Sequence, residues 1–340
     1  MRKAPGVCFR FLSVLVTTLT LNQPALAAAS DSPANPTSNV CLSVDTFAKT
    51  DDSVPHHQQV LIKGGAFTMG SNEGFRNNPA HLVTVGDFWI DAHEVTNAQF
   101  RQFVRATGYI TTAEQRPDPT LYPGISADLL VPGSASFIKL DDRPKGQWRD
   151  WWKFVIGANW QHPSGPNSNI EGMDSYPVVH ISHQDAQAYA KWAGRALPTE
   201  AQWEYAAQAS AAVKSANTWQ GFFPLQDKAL DGYAGVAPVG CYAPDASGLF
   251  DMKGNVWEMV SDVFDTTLES RASVAPMRVI KGGSYLCAEN HCQGDRPQAR
   301  QGQEEDFSSG NVGFRTVSPG RAAPIQSIDV QSTVAQTTKD

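Results

Sequence analysis

The chain has 340 residues, 41% of them hydrophobic, with 27 Lys+Arg against 34 Asp+Glu and a formal net charge of −7. That length suits one large domain with extensions, and the apolar share is enough for a sizeable core. An acidic balance excludes non-specific nucleic-acid binding through phosphate contacts.

The N-terminus reads as an export signal. Arg2, Lys3 and Arg10 supply the charged start, residues 11–21 form a short apolar run, and Ala25-Leu26-Ala27 fits the small-residue cleavage rule. The run is too short to span a bilayer, and Cys8 lies upstream of it, which argues against lipoprotein cleavage at a cysteine. Removal of residues 1–27 takes away three basic residues and moves the net charge from −7 to −10. The expectation is an exported protein, periplasmic or secreted, without a membrane span. Residues 28–59, rich in Ser, Pro, Thr, Asn and Asp, read as a polar linker or arm. Residues 60–318 form the domain, and 319–340 a polar tail that frays.

Within the domain, residues 60–62 and 81–90 are expected as strands, the second with apolar alternation through Leu82, Val83, Val85, Phe88 and Ile90. Thr96 and Gln99 form a capping box that opens a helix, with Phe100, Phe103 and Val104 on its inner face and Gly108 as its stop. Residues 109–174 are Pro-, Gly- and Trp-rich and expected to be irregular; the aromatic cluster Trp148, Trp151, Trp152 and Trp160 reads as core packing. Ser182 caps a second helix that presents Ala186, Tyr189, Ala190 and Ala193 and ends at Gly194. Thr199 and Gln202 make another capping box after Pro198, followed by inward Trp203, Ala206 and Ala207. No repeat period runs through the chain. Long irregular segments in one domain need ions or packing to pin them.

Chemistry concentrates in three places. Cys287 and Cys292 lie in a Gly- and Ser-bounded loop, a poor setting for Cys as a core hydrophobe. Their spacing matches neither a four-ligand zinc site nor a Cys-x-x-Cys redox motif. Two thiolates suit a soft monovalent ion such as Cu(I), and in an exported protein they equally suit a structural disulfide. With Cys41 and Cys241 they allow three pairings. Asp251 and Glu258 bracket a glycine turn, and Asn217 and Asp231 flank another loop; carboxylates of this kind together with carbonyls serve Ca2+, and solvated loop acids look the same in sequence. The eight histidines form no zincin motif, and there is no nucleophile elbow, phosphate loop or dinucleotide fingerprint.

The runs GGAFTMGS, FWIDAHEVTNAQFRQFVRATGY, GANWQHPSGP, YPVVHISHQDAQAYAKWAGRALPTEAQWEYAA, GLFDMKGNVWE, KGGSYLCAENHC and NVGFR together resemble the formylglycine-generating enzymes, or sulfatase-modifying factors, across nearly all of the domain. The resemblance implies an α+β, loop-rich single domain with little regular secondary structure, related to C-type lectins. It implies oxidation of a cysteine in a Cys-x-Pro-x-Arg stretch of an unfolded sulfatase to Cα-formylglycine, using copper, O2 and a reductant. Cys287 and Cys292 fall on the catalytic, Cu(I)-holding thiols. Ser284 falls on a catalytic-cleft position, and Arg300 and Asn311 on positions that line the same cleft and place substrate. Asn217, Asp231 and the carbonyls of Thr218 and Tyr233 match a first calcium site. Asp251, Glu258 and the carbonyls of Gly254 and Val256 match a second. The sequence departs from vertebrate members at Ala190 and Ala207, where those carry structural disulfides, and at His291, where an aromatic is usual. Two other functions fit the same residues: an oxidase acting on another thiol or a small metabolite, and a non-catalytic, lectin-like binding module in which Cys287–Cys292 is merely a disulfide.

Overall fold

Strand β1 (Gln59–Ile62) and β2 (Gly65–Met69) are separated by two residues, and their partners β3 (His81–Val85) and β4 (Phe88–Asp91) are separated by two as well. The computed structural model describes residues 41, 58–72, 78–122, 124–139, 151–264, 276–292 and 294–320. The export signal, nearly all of the arm at 28–59, the tail beyond 320 and Trp148 therefore lie outside the described residues. The single strand expected over 81–90 is two strands. β3 pairs with β2, whereas β4 pairs with β1, so the ladder breaks where the partners break. Asp87 fixes the corner by accepting from the Gly64 amide and from Lys63 Nζ, both at 2.9 Å.

Helix α1 (Asn97–Thr107) has the reciprocal Thr96/Gln99 capping box and ends on Gly108 in the left-handed conformation, as its sequence signals require. The Pro- and Gly-rich stretch that follows contains a hairpin the sequence did not announce, β5 (Gly133–Phe137) with β6 (Trp152–Ile156). Helices α2 (His183–Trp192) and α3 (Glu200–Ala206) carry the Ser182/Asp185 and Thr199/Gln202 boxes. A small hairpin joins β7 (Gly221–Phe222) to β8 (Gln226–Asp227). Then come β9 (Trp257–Val263), β10 (Met277–Lys281), β11 (Gln301–Glu304), β12 (Val312–Gly313) and β13 (Val317–Pro319). Their sheet runs β11-β10-β9-β12, with β12 parallel to β9, while β13 crosses back to flank β4 in the order β1-β4-β13. Among the described residues, no helix is long and apolar enough to cross a membrane.

Two apolar clusters hold these parts together. One joins α1 and α2 to Phe314 through edge-on rings, Phe100–Trp160 at 5.3 Å and Tyr189–Phe314 at 5.3 Å between centroids. The other packs Phe88, Ile90, Trp203, Leu249 and Val260 between the two sheets. Each fully buried ring contributes about 1.5–3 kcal/mol. Trp160 and Trp151 are buried, as core packing requires.

His180 ties the β5 hairpin to the body. It is buried, its Nδ1 faces Ser134 Oγ at 2.8 Å, and Ser308 donates to the same hydroxyl. Burial pushes its imidazole down to about 4. The unfolded chain binds this proton near pH 6.5 and the folded chain only near 4, so the stability it protects is complete above pH 6.5 and is lost as pH falls toward 4. His180→Gln is expected to flatten the acid limb of urea melts between pH 7 and 4.5; an unchanged slope would refute this.

Candidate active site and cation loops

The Cys287 loop is shaped by its glycines. A Cβ on Gly283 (φ 73°) would come within 3.0 Å of Cys287 Sγ and 2.8 Å of the Asp295 amide, so no side chain fits there. The following turn brings the Ser284 carbonyl to the Cys287 amide at 2.9 Å and the Ser284 amide to Cys287 Sγ at 3.5 Å. The chain then returns so that Cys292 (φ 62°) meets Cys287, and the two form a disulfide. Both sulfur-bearing residues line a cleft of about 570 Å³ whose wall also includes Trp219, Leu230, Glu289, Asp295 and Arg296. Next to Cys292, His291 stacks on Phe223 at 4.1 Å between ring centroids and stands edge-on to Trp151.

Ser284 and Asn311 sit behind the thiols rather than in the cleft wall. Both are buried, Asn311 Nδ2 donates to Ser284 Oγ at 3.2 Å, and Ser309 donates to Asn311 Oδ1. They brace the Cys287 loop. The Arg300 guanidinium pairs with Glu200 at 2.8 Å and lies over the Phe264 ring. The cause is the buried pair Glu200 and Glu204 at α3, which a single fully buried Lys281 does not neutralise. Arg296, not Arg300, provides guanidinium in the cleft wall.

Asp231 draws the first candidate cation loop together. Asp231 accepts from the amides of Thr218 (2.9 Å) and Tyr233 (3.2 Å). Asn217 is fully buried; its Nδ2 donates to the Gly235 carbonyl and to Asn255 Oδ1, which fixes the amide and leaves Oδ1 with no hydrogen-bond partner. An orphaned buried oxygen of this kind suits a hard cation. In the second loop, Gly254 (φ 78°) approaches the Asn217 carbonyl so closely that a Cβ would lie 2.2 Å from it. Asp251 and Asn255 flank it in the left-handed conformation that Asp and Asn tolerate.

Glu258 lies in the interior beside Arg315. Both carboxylate oxygens are engaged, accepting from Arg315 Nε (2.6 Å) and Nη2 (2.7 Å) and from Trp203 Nε1 (2.7 Å). Arg315 is wholly buried and is the guanidinium of this cluster, so it claims the nearest carboxylate. Beside it lies Glu94, also fully buried, which the sequence reading missed. Asn255 donates to its Oε1 at 3.0 Å, and its Oε2 has no partner. Its only sequence signal is a carboxylate wedged between buried Ile90 and the Thr96 cap. Burial and neighbouring carboxylates raise Asp251 to about 6 and Glu94 well above the ordinary carboxylate range. A divalent cation would hold both ionised. Side chains alone do not make a site: among the described residues no three His, Cys, Asp or Glu groups converge as metal ligands, so any such ion would rely on carbonyl oxygens.

Over residues 45–319 the chain matches the family described as sulfatase-modifying factor enzyme 1-like domain. It belongs to the sulfatase-modifying factor family. Within this family, the formylglycine-generating enzyme of Mycobacterium tuberculosis is 42% identical over 293 residues, covering 76% of this chain and 96% of its own. That of Streptomyces coelicolor is 41% identical over 286 residues, covering 76% and 88%. The inactive Cα-formylglycine-generating enzyme 2 of Bos taurus is 35% identical over 282 residues, covering 78% and 89%. The loop-rich α+β architecture described above is that of a sulfatase-modifying factor domain.

Cys41 and Cys241, which had no expected pairing, are bonded to each other. The Tyr233 hydroxyl lies 3.5 Å from each sulfur, so the bond sits directly on the first cation loop.

Proposed function

We propose that this chain oxidises the cysteine of Cys-x-Pro-x-Arg segments in sulfatases to Cα-formylglycine, with Cu(I) held by Cys287 and Cys292 and Ca2+ in the two loops. The observation that carries the reading is the pair of adjoining sulfurs in a cleft wall. The names of relatives at 41–42% identity support the substrate class.

Converting –CH2–SH to –CHO with release of hydrogen sulfide consumes O2, two electrons and two protons and leaves water, so a reductant is part of the reaction. Bound Cu(I) would supply a soft, one-electron redox centre for thiolate and O2. The chain's own residues hold the geometry. The Ser284 amide faces Cys287 Sγ, the Ser284–Asn311 bond stiffens the turn, and the Trp219 amide donates to the Cys287 carbonyl at 2.9 Å. The open cleft suits an extended segment, since the substrate's Pro disfavours helix, and the acidic chain attracts its Arg. An exported location fits the Cys41–Cys241 bond, which persists in oxidising compartments.

The test incubates a Cys-x-Pro-x-Arg peptide with enzyme, Cu(I), O2 and a thiol reductant, and follows aldehyde formation by mass spectrometry. Turnover is expected, weakened when the peptide's Arg becomes Ala. Equal turnover of free cysteine would favour a small-thiol oxidase. Absence of both turnover and Cu(I) binding would leave the non-catalytic module.

A further inference from the structure

Besides its own bonds, the loop that carries Cys287 is tied to the two cation loops. The Trp219 amide, next to Asn217 and Thr218, donates to the Cys287 carbonyl at 2.9 Å. The Gly254 amide donates to the Gly282 carbonyl at 2.9 Å, and the Tyr285 amide donates to the Asn255 carbonyl at 2.9 Å. Every one of these contacts reaches a residue of, or adjacent to, a candidate calcium loop.

Asn255 is where the three segments meet. It is fully buried and left-handed (φ 51°). Its amide donates to the Asn217 carbonyl at 2.9 Å, and its carbonyl receives Tyr285 of the thiol loop. Its Oδ1 accepts from Asn217 Nδ2 and from the Ala237 amide, both at 2.9 Å, and its Nδ2 donates to Glu94 Oε1. The chain Asn217–Asn255–Glu94 thus ends in an unpartnered buried oxygen at each side, Asn217 Oδ1 and Glu94 Oε2. An ion drawn to either oxygen fixes the orientation of that side chain, and through the amide of Asn255 it fixes the backbone that Tyr285 hangs on.

We propose that Asn255 is a positioning residue that couples the cation loops to the thiol pair, so that Ca2+ occupancy raises the affinity of Cys287 and Cys292 for Cu(I). The inference rests on the metal assignments of the proposed function. Its physical content is preorganisation: Asn255 and the ions settle the loop before copper arrives, and copper binding no longer bears that ordering cost. Linkage makes the effect reciprocal, so Cu(I) raises Ca2+ affinity by the same factor.

The experiment measures Cu(I) affinity of the reduced, full-length protein by competition with a chromophoric Cu(I) chelator, after Ca2+ removal and again with Ca2+ restored. Ca2+ is expected to tighten Cu(I) binding about tenfold, within the usual range of such couplings. Asn255→Gly keeps the left-handed backbone and its two backbone bonds while deleting the side-chain links. It is expected to bind Cu(I) in both conditions with most of the Ca2+ effect gone. Copper affinity that is equal with and without Ca2+ in the parent, while Ca2+ itself binds, overturns the coupling and leaves the metal assignments standing. A full Ca2+ effect surviving in Asn255→Gly overturns the role of Asn255. A parent that takes up no Cu(I), or no Ca2+, under any condition overturns the corresponding metal assignment and the coupling with it. The parent comparison decides the matter even if the variant does not fold.

Discussion

Replacing Cys287 or Cys292 by Ser is expected to abolish Cu(I) binding and peptide oxidation together while leaving a folded protein. A serine oxygen is nearly isosteric but hard, and it cannot stand in for a soft sulfur ligand. The cost in stability is small by the same geometry. The two residues are five apart, so their bond closes a tiny ring and restrains the unfolded chain by only about 2 kcal/mol. Cys241→Ser reverses both outcomes. Its bond spans 200 residues and is worth up to about 5 kcal/mol in the chain-entropy treatment, yet its loss should leave copper stoichiometry unchanged. Calorimetric melts and copper titrations on the three variants separate the roles. Copper binding that survives in either cleft variant would remove the proposed mechanism.

Arg315→Met is expected to be the most damaging single change away from the cleft. Its guanidinium binds Glu258 through two nitrogens and caps the carbonyls of Asp91 (3.1 Å) and Phe250 (2.9 Å), all in the interior. Without it, the buried Glu258 carboxylate loses its guanidinium partner. Breaking one side of such a pair costs about 3–5 kcal/mol, a fall on the order of 10 °C in Tm for a domain of this size. Adding Glu258→Gln should recover part of the loss, because the stranded charge is then gone. A Tm within about 2 °C of the parent for Arg315→Met would show that the cluster is neutralised some other way.

The parts of this molecule that were legible in the sequence are those whose signals are local. Each of the three α-helices among the described residues begins at a Ser or Thr whose partner stands three residues on. The Cys pair, five residues apart, could be read as a unit. The break between β3 and β4 could not, because it is set by where β1 and β2 part company on the other side of the ladder. The same holds for the site. Glu94 and Asn255 are 161 residues apart in sequence and Arg315 lies 57 beyond Glu258, so neither contact leaves a mark in the spacing of the chain. The Arg300–Glu200 pair is equally silent in the sequence, with its partners 100 residues apart.

The order of strands β1-β4-β13 has a consequence in time. The middle strand lies near the start of the domain, and Ile90 on it waits for Val317, far downstream in the chain. Arg315, two residues before β13, is equally late, and until it arrives the Glu258 carboxylate has no guanidinium to pair with in the interior. A nascent chain that stops short of Arg315 therefore has neither the third strand of this sheet nor the Glu258–Arg315 pair. A premature stop upstream of Arg315 is expected to yield a protease-sensitive chain rather than a smaller stable domain, which limited proteolysis of the truncated chain checks.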